Sequence, residues 1–212
     1  INQTSGIYDY IRSPGWWQKV FAQEQWQSQE LVNIAYKQVN DFSPGSAWRY
    51  SNTNYVLLGM ILEKVTNQSL ENLMKNLFAT NNLKQTYYLV SPYPQNIMEK
   101  MAHGYWQEAE QRVDTTSING SWLQSAGAIV ATTNDLTYWQ KYFYQSYIPF
   151  SLRNTINGKP VHSFNDIGYD FGSFRMNTPE GLIWFTPGLT TGYTTMIVYA
   201  PCLDVYFSYS AN

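Results

Sequence analysis

FSPGSAWRYSNTNYVLLGMILE, residues 42–63, is the stretch from which the rest of the chain is read. Pro44-Gly45 is a turn signal, and from about Asn52 to Val65 the residues are those of an apolar helix, ended by Thr66-Asn67-Gln68. The turn therefore delivers Tyr50, Ser51 and Asn52 to the start of that helix. A phenol, a hydroxyl and a carboxamide stand side by side at the mouth of a buried element, where a ligand site would sit. Two readings follow for Tyr50 and Asn52: groups that handle a ligand, or groups that cap and pack the helix.

Upstream, Ser13-Pro14-Gly15 is another turn, and between Trp16 and Val39 the apolar residues Val20, Phe21, Leu31, Ile34, Ala35 and Val39 fall at helical spacing, enough for one or two helices. Downstream, Ser69 can cap a helix reaching Phe78. Residues 80–125 carry the breaks Asn81-Asn82, Ser91-Pro92, Pro94 and Asn119-Gly120, and there helix and strand are not told apart. Thr132-Thr133-Asn134-Asp135 matches a capping box ahead of an aromatic helix through Tyr144. From Tyr169 the pattern turns to short β-rich runs: Tyr169 to Met176, Leu182 to Phe185, Tyr193 to Tyr199 and Val205 to Tyr209, separated by Pro179, Pro187-Gly188 and Pro201. Consecutive short strands predict an antiparallel sheet. The expected fold is α+β, one domain over residues 1–212, with a helical layer over about 1–165 packed on a C-terminal sheet over about 166–212.

Composition removes several function classes. A 212-residue chain with 44% hydrophobic content can bury one substantial core. A net charge of -2, with the 13 Lys and Arg scattered, offers no basic patch for nucleic acid. No run approaches the ~18 consecutive apolar residues of a membrane span, and no signal peptide is present in the chain. Cys202 has no second cysteine to pair with, and its apolar neighbours predict a packing role. His103 and His162 have no ligand-spaced cysteine or carboxylate cluster, so no metal or other cofactor is expected. The absence of Gly-x-Ser-x-Gly argues against an α/β-hydrolase. The 18 Tyr and 8 Trp suit a core and its rim better than a carbohydrate platform, given the area each ring buries.

The sequence Phe-x-Pro-Gly, then Trp48-x-Tyr50-Ser51-Asn52-x-x-Tyr55, then Leu57-Leu58-Gly59 and an apolar helix, resembles the penicillin-recognising serine hydrolases: D-alanyl-D-alanine carboxypeptidases, class C β-lactamases and related esterases. Thr4-Ser5-Gly6-Ile7, Ser125-Ala126-Gly127 leading to Asp135, and Gly192-Tyr193 extend the likeness over nearly the whole chain. The resemblance implies a β-lactamase/transpeptidase-like fold and an acyl-enzyme reaction on a peptidoglycan-type peptide, a β-lactam or a small ester. It also implies a periplasmic or secreted location.

By the same resemblance, Tyr50 matches the phenol that moves a proton and Asn52 the carboxamide that holds the substrate amide, with Ser51 between them. A phenol ionises near pH 10, so acting as a base near pH 7 takes roughly 4 kcal/mol of help from adjacent cations, without which Tyr50 stays neutral. The family attacks with a serine three residues before a lysine, and no Ser-x-x-Lys occurs in the chain. Its Lys-Thr-Gly or His-Thr-Gly strand aligns, counting back from Gly192-Tyr193, with Thr186-Pro187-Gly188. Thr186 brings no charge there, Pro187 removes a backbone N–H from the strand that would hold substrate, and Leu189 aligns with the oxyanion-hole N–H. The expectation is a fragment, incomplete at its N-terminus and inactive alone; the alternative is a non-catalytic relative that binds a peptide or a protein partner. An unpaired sheet edge would favour self-association.

Overall fold

The computed structural model describes residues 2–108, 110–147, 163–164, 167–170 and 172–212. His162 lies outside them. The polar stretch after Gly15 forms two helices, α1 (Trp16–Phe21) and α2 (Ser28–Tyr36), the second fixed at its start by Glu30 Oε2 accepting the Gln27 N–H at 2.7 Å. Helix α3 (Asn52–Thr66) runs as expected and stops where Asn67 turns left-handed, φ 54°. Helix α4 (Leu70–Thr80) starts at Ser69, whose hydroxyl accepts the Asn72 N–H.

The stretch left open by the sequence holds strand β1 (Thr86–Tyr88), the short α5 (Gln95–Met98), and a hairpin of β2 (Tyr105–Glu108) with β3 (Gln111–Asp114). Strand β4 (Ile129–Ala131) pairs antiparallel with β1. Helix α6 (Thr133–Tyr142) has Thr132 as its cap, but the capping box is only half made. The Asp135 carboxylate accepts instead from the Gln85 N–H (2.8 Å) and the Thr86 hydroxyl (2.9 Å), so a tertiary partner wins over the local one and ties α6 to β1.

Strands β5 (Ser163–Phe164), β6 (Ile167–Asp170), β7 (Ser173–Thr178), β8 (Gly181–Thr190), β9 (Tyr193–Ala200) and β10 (Val205–Ala211) form one antiparallel sheet, each paired with the next. Two strand expectations need correction. The run from Tyr169 to Met176 is two strands, turned at Gly172 (φ 83°). The run from Leu182 to Phe185 extends to Thr190, so Pro187 lies inside a strand, opposite Met196. The register with β7 ends at Phe174–Phe185, leaving residues 186–190 paired, among the described residues, on the β9 side only, and such a one-sided stretch is where a strand tolerates proline.

The rings do fill the core. Trp16 packs within 5.1 Å of both Tyr10 and Trp26, with Val20, Leu31, Val56 and Trp122 buried around them. Helix α3 is buried along one side only: Thr53, Val56 and Gly59 face inward, while Leu58, Ile61, Leu62 and Val65 are exposed. Gly59 permits a close approach, because a Cβ there would sit 2.3 Å from Ser125 Oγ, and that hydroxyl donates to the Tyr55 carbonyl at 2.8 Å. The Leu-Leu-Gly of the helix and the Ser-Ala-Gly of the later turn are thus one packing contact. Helix α6 meets the sheet through Thr137 and Ser208, 2.6 Å apart. Cys202 is exposed, not packed in the core, because the one-turn helix after Pro201 lies at the sheet end with its sulfur beside Gly181.

Candidate functional site

The first turn of α3 is held by the N-terminal segment. Asn52 Nδ2 donates to both oxygens of Asp9, at 3.3 and 3.0 Å. Thr53 Oγ1 donates to the Tyr8 carbonyl and accepts the Tyr10 N–H. Gln3 Oε1 accepts from the Ser51 N–H (3.1 Å) and from Asn54 Nδ2 (2.5 Å), and Asn54 Oδ1 accepts from Ser5 Oγ. Asp9, only 4% exposed, thus supplies at the helix N-terminus the acceptor that the Ser51 side chain does not. Burial pushes its carboxyl above the ordinary value of 3.8 even though Asn52, Ile11 and Arg12 oppose the shift.

Tyr50 is 36% exposed, its ring 6.0 Å from Tyr55 and 6.3 Å from Tyr169. Burial first, then Tyr55 and Asp9, raises its pKa well above 10, so the neutral phenol is the favoured form. The Tyr55 and Tyr169 hydroxyls meet at 2.5 Å. Tyr169 then touches the sheet: its ring is 4.8 Å from Phe174, which stacks on Phe185 at 5.4 Å. Thr186, the next residue, places Oγ1 3.0 Å from Ser173 Oγ, and Ser173 accepts from the Tyr144 hydroxyl at 3.3 Å.

The rings of Tyr169, Phe174 and Phe185 therefore run from Tyr50 to strand β8, where Thr186, next to Phe185, turns its hydroxyl to the opposite face, toward Ser173 and Tyr144. Ser51 is 1% exposed and its hydroxyl has no hydrogen-bond partner, so it faces the interior. Gly188 pairs with Thr195, where a side chain would collide with Thr195 Oγ1 at 2.3 Å. Leu189 is 80% exposed. Two cavities among the described residues, of about 430 and 690 Å³, are lined by none of Tyr50, Ser51, Asn52, Thr186, Gly188 or Leu189. His103 is exposed and pairs with Asp114, whose carboxyl is held down to about 2 by Thr116 first and His103 second.

Sequence reasoning had no signal for Asp9, Gln3 or Tyr169, each of which acts on the motif from far along the chain. Tyr55 stood in the quoted motif without a role.

The family model described as Beta-lactamase matches residues 1–212. Penicillin-binding protein 4* of Bacillus subtilis (strain 168) is 28% identical over 221 residues, covering 93% of this chain and 47% of that protein. The crystal structure of a D-stereospecific amidohydrolase from Streptomyces sp. superposes with a TM-score of 0.88 at 25% identity, over 100% of this chain and 66% of that one. D-amino acid amidase from Ochrobactrum anthropi SV3 has the same fold, with a TM-score of 0.82 at 22% identity, over 100% of this chain and 62% of that one. The chain spans about half the length of the curated relative, 47%, and just under two thirds, 66%, of the amidohydrolase.

Proposed function

The chain belongs to the Beta-lactamase family, and on that premise we propose that it carries the substrate-holding part of a serine hydrolase that acts through an acyl-enzyme. The substrate class is a D-alanyl peptide, a β-lactam or a small ester. The single observation that carries the reading is the wall of rings from Tyr50 through Tyr169 and Phe174 to Phe185, which links the Tyr-Ser-Asn motif to the strand of Thr186 and Gly188.

In this reading a peptide lies along the open side of residues 186–190, where main-chain groups free of a β7 partner take it up as an added strand. Pro187 offers a carbonyl there and no N–H. Tyr50, neutral, donates a proton to a leaving group rather than removing one. Asn52 directs one Nδ2 N–H at Asp9, so its oxygen is open to a substrate N–H and its second N–H to a substrate carbonyl. The attacking serine is not among these residues, because no Ser-x-x-Lys occurs in them. The chain alone forms no acyl-enzyme. A cell-envelope or secreted setting suits the substrate; among the described residues no helix is long and apolar enough to cross a membrane.

The test is labelled penicillin. The 212-residue chain should take up no covalent label, and a longer protein with an upstream Ser-x-x-Lys should take up one per molecule. Failure of the longer protein to label overturns the acyl-enzyme reading. A second reading, a non-catalytic peptide-binding relative, is favoured by one observation: the residue at 186 is an uncharged threonine whose hydroxyl meets that of Ser173, which in turn accepts from Tyr144. Saturable binding of a D-Ala-D-Ala peptide without turnover by the longer protein selects it, and no binding removes it.

A further inference from the structure

A cavity of about 430 Å³ lies between α5, β4 and the start of β9, away from Tyr50 and Thr186. Its size falls within the range of small-molecule sites, roughly 300–1,000 Å³. Tyr93, Ile97 and Met101 form one wall, Val130 another, and Tyr193 closes a third. The Tyr193 hydroxyl donates to the Ala102 carbonyl at 2.8 Å, and Gly104 lets its ring come close, since a Cβ at Gly104 would lie 2.4 Å from it. The rim is thus held by contacts between the sheet and the loop after α5.

The charge of the lining is one-sided. Lys100, exposed at the rim, is the only ionisable acid or base of Asp, Glu, Lys, Arg or His type among the described lining residues. The carboxylates closest in sequence to this lining are both engaged: Glu99, next to Lys100, accepts from Gln95 Nε2 at 2.9 Å, and Asp135 accepts from the Gln85 N–H and the Thr86 hydroxyl. Thr132 and Thr133, the cap and first residue of α6, also line the cavity, so the positive end of a ten-residue helix faces the same space. Burial, with Tyr193 adding to it, pushes the Tyr93 phenol up to about 12, so that wall is neutral at pH 7 and does not repel an anion.

We propose that this cavity is a second ligand site, one that takes a small molecule with an aromatic or aliphatic body and a single carboxylate. The body lies against Tyr93, Ile97, Met101 and Val130, and the carboxylate meets Lys100. One ammonium matches one negative charge; a phosphate dianion would leave charge unmatched in a lining that is otherwise apolar or hydroxylic. The site needs no nucleophile and does not depend on the acyl-enzyme reading.

Calorimetric titration at pH 7 with 3-phenylpropionate tests it, with 3-phenylpropanamide as the neutral probe of equal shape. The wild-type chain should bind the acid saturably, one per chain, and the amide at least tenfold more weakly. Lys100→Met should weaken the acid at least fivefold and leave the amide unchanged; Lys100 is exposed, so the fold is not at stake. Ala102→Trp, also at an exposed position, should obstruct the cavity and weaken both probes at least fivefold. Absence of saturable binding, equal affinity for acid and amide, or indifference to both substitutions overturns the proposal.

Discussion

Replacing Gly59 with alanine tests the contact on which the placement of Tyr50 and Asn52 depends. An alanine in a free helix interior would stabilise α3 by about 1 kcal/mol relative to glycine. Here the added Cβ would stand 2.3 Å from Ser125 Oγ, 2.7 Å from Ser125 Cβ and 3.2 Å from a Leu70 methyl. The first two cannot be relieved without moving Ser125, whose hydroxyl is bonded to the Tyr55 carbonyl. Overpacking of this kind costs about 1–3 kcal/mol, and the lost hydrogen bond adds about 1 kcal/mol. Set against the helix gain, Gly59→Ala should destabilise by about 1–3 kcal/mol, a fall in the urea midpoint of roughly 0.3–1.5 M at a slope near 2–3 kcal/mol/M. Tryptophan fluorescence across a urea series reads it. Gly59→Ala combined with Ser125→Gly removes both colliding atoms and should recover most of the loss, so the two changes should couple strongly. A stabilised Gly59→Ala protein, or a double variant whose loss is the plain sum, would show that α3 does not lie against Ser125.

Asp9→Asn removes the one carboxyl at the α3 N-terminus. Since burial raises the Asp9 pKa above 3.8, the folded protein holds that proton more tightly than the unfolded chain. Its contribution to stability is fullest below 3.8 and is lost as pH rises through the folded value. Wild-type stability relative to Asp9→Asn should therefore fall between about pH 3 and pH 7 in paired urea melts, and a flat difference refutes the assignment. Tyr169→Phe breaks the hydroxyl pair with Tyr55 and should cost about 0.5–1.5 kcal/mol, read as a lower urea midpoint; an unchanged midpoint counts against the bridge. Tyr50, Tyr55 and Tyr169 all have raised pKa values, mainly from burial, so the fold should lose stability as pH rises beyond 10, with Trp fluorescence as the readout. Strand β10 ends the sheet among the described residues and exposes Val205, Phe207 and Tyr209. The chain should self-associate, Phe207→Lys should weaken that association, and a monodisperse 24.6 kDa wild-type monomer in sedimentation would refute it.

Local signals were legible where the deciding atoms were close in sequence. Ser69 and Thr132 each accept an N–H three residues on, so their helices could be placed from the sequence. The box at Asp135 is only half made because the carboxylate's partner is 50 residues away at Gln85, and a pattern along the chain does not contain a competing strand. Pro187 reads as a break because a proline inside a paired strand costs a ladder bond; β8 carries it where β7 has already ended. The α3 pattern showed an apolar helix but not which side is covered, since Leu58, Ile61, Leu62 and Val65 fall at the spacing of a core face and yet are exposed.

The candidate site shows the same limit more sharply. Tyr50 and Asn52 could be named from their motif, but the state of each is set by groups the motif does not contain. A carboxamide that holds a substrate must have a free donor or acceptor, and Asn52 has one of its two Nδ2 N–H groups directed at the Asp9 carboxylate. Recognition through Asn52 therefore has its oxygen for a substrate N–H and its second N–H for a carbonyl, while the first N–H stays with Asp9. If a substrate carbonyl is to be held by the N–H now aimed at Asp9, that bond has to be released, leaving a carboxylate that is 4% exposed without its strongest side-chain donor. Protonation lowers that penalty, because a neutral buried carboxyl no longer needs the donor. The raised pKa of Asp9 places the easier exchange on the acid side, so peptide binding that takes the Asn52 N–H from Asp9 should strengthen as pH falls toward that pKa, and binding through the oxygen or the second N–H should not. Titrating a D-Ala-D-Ala peptide against the wild type and Asp9→Asn at pH 4.5 and 7.5 separates the two, since only the first mode carries a pH dependence that the substitution abolishes.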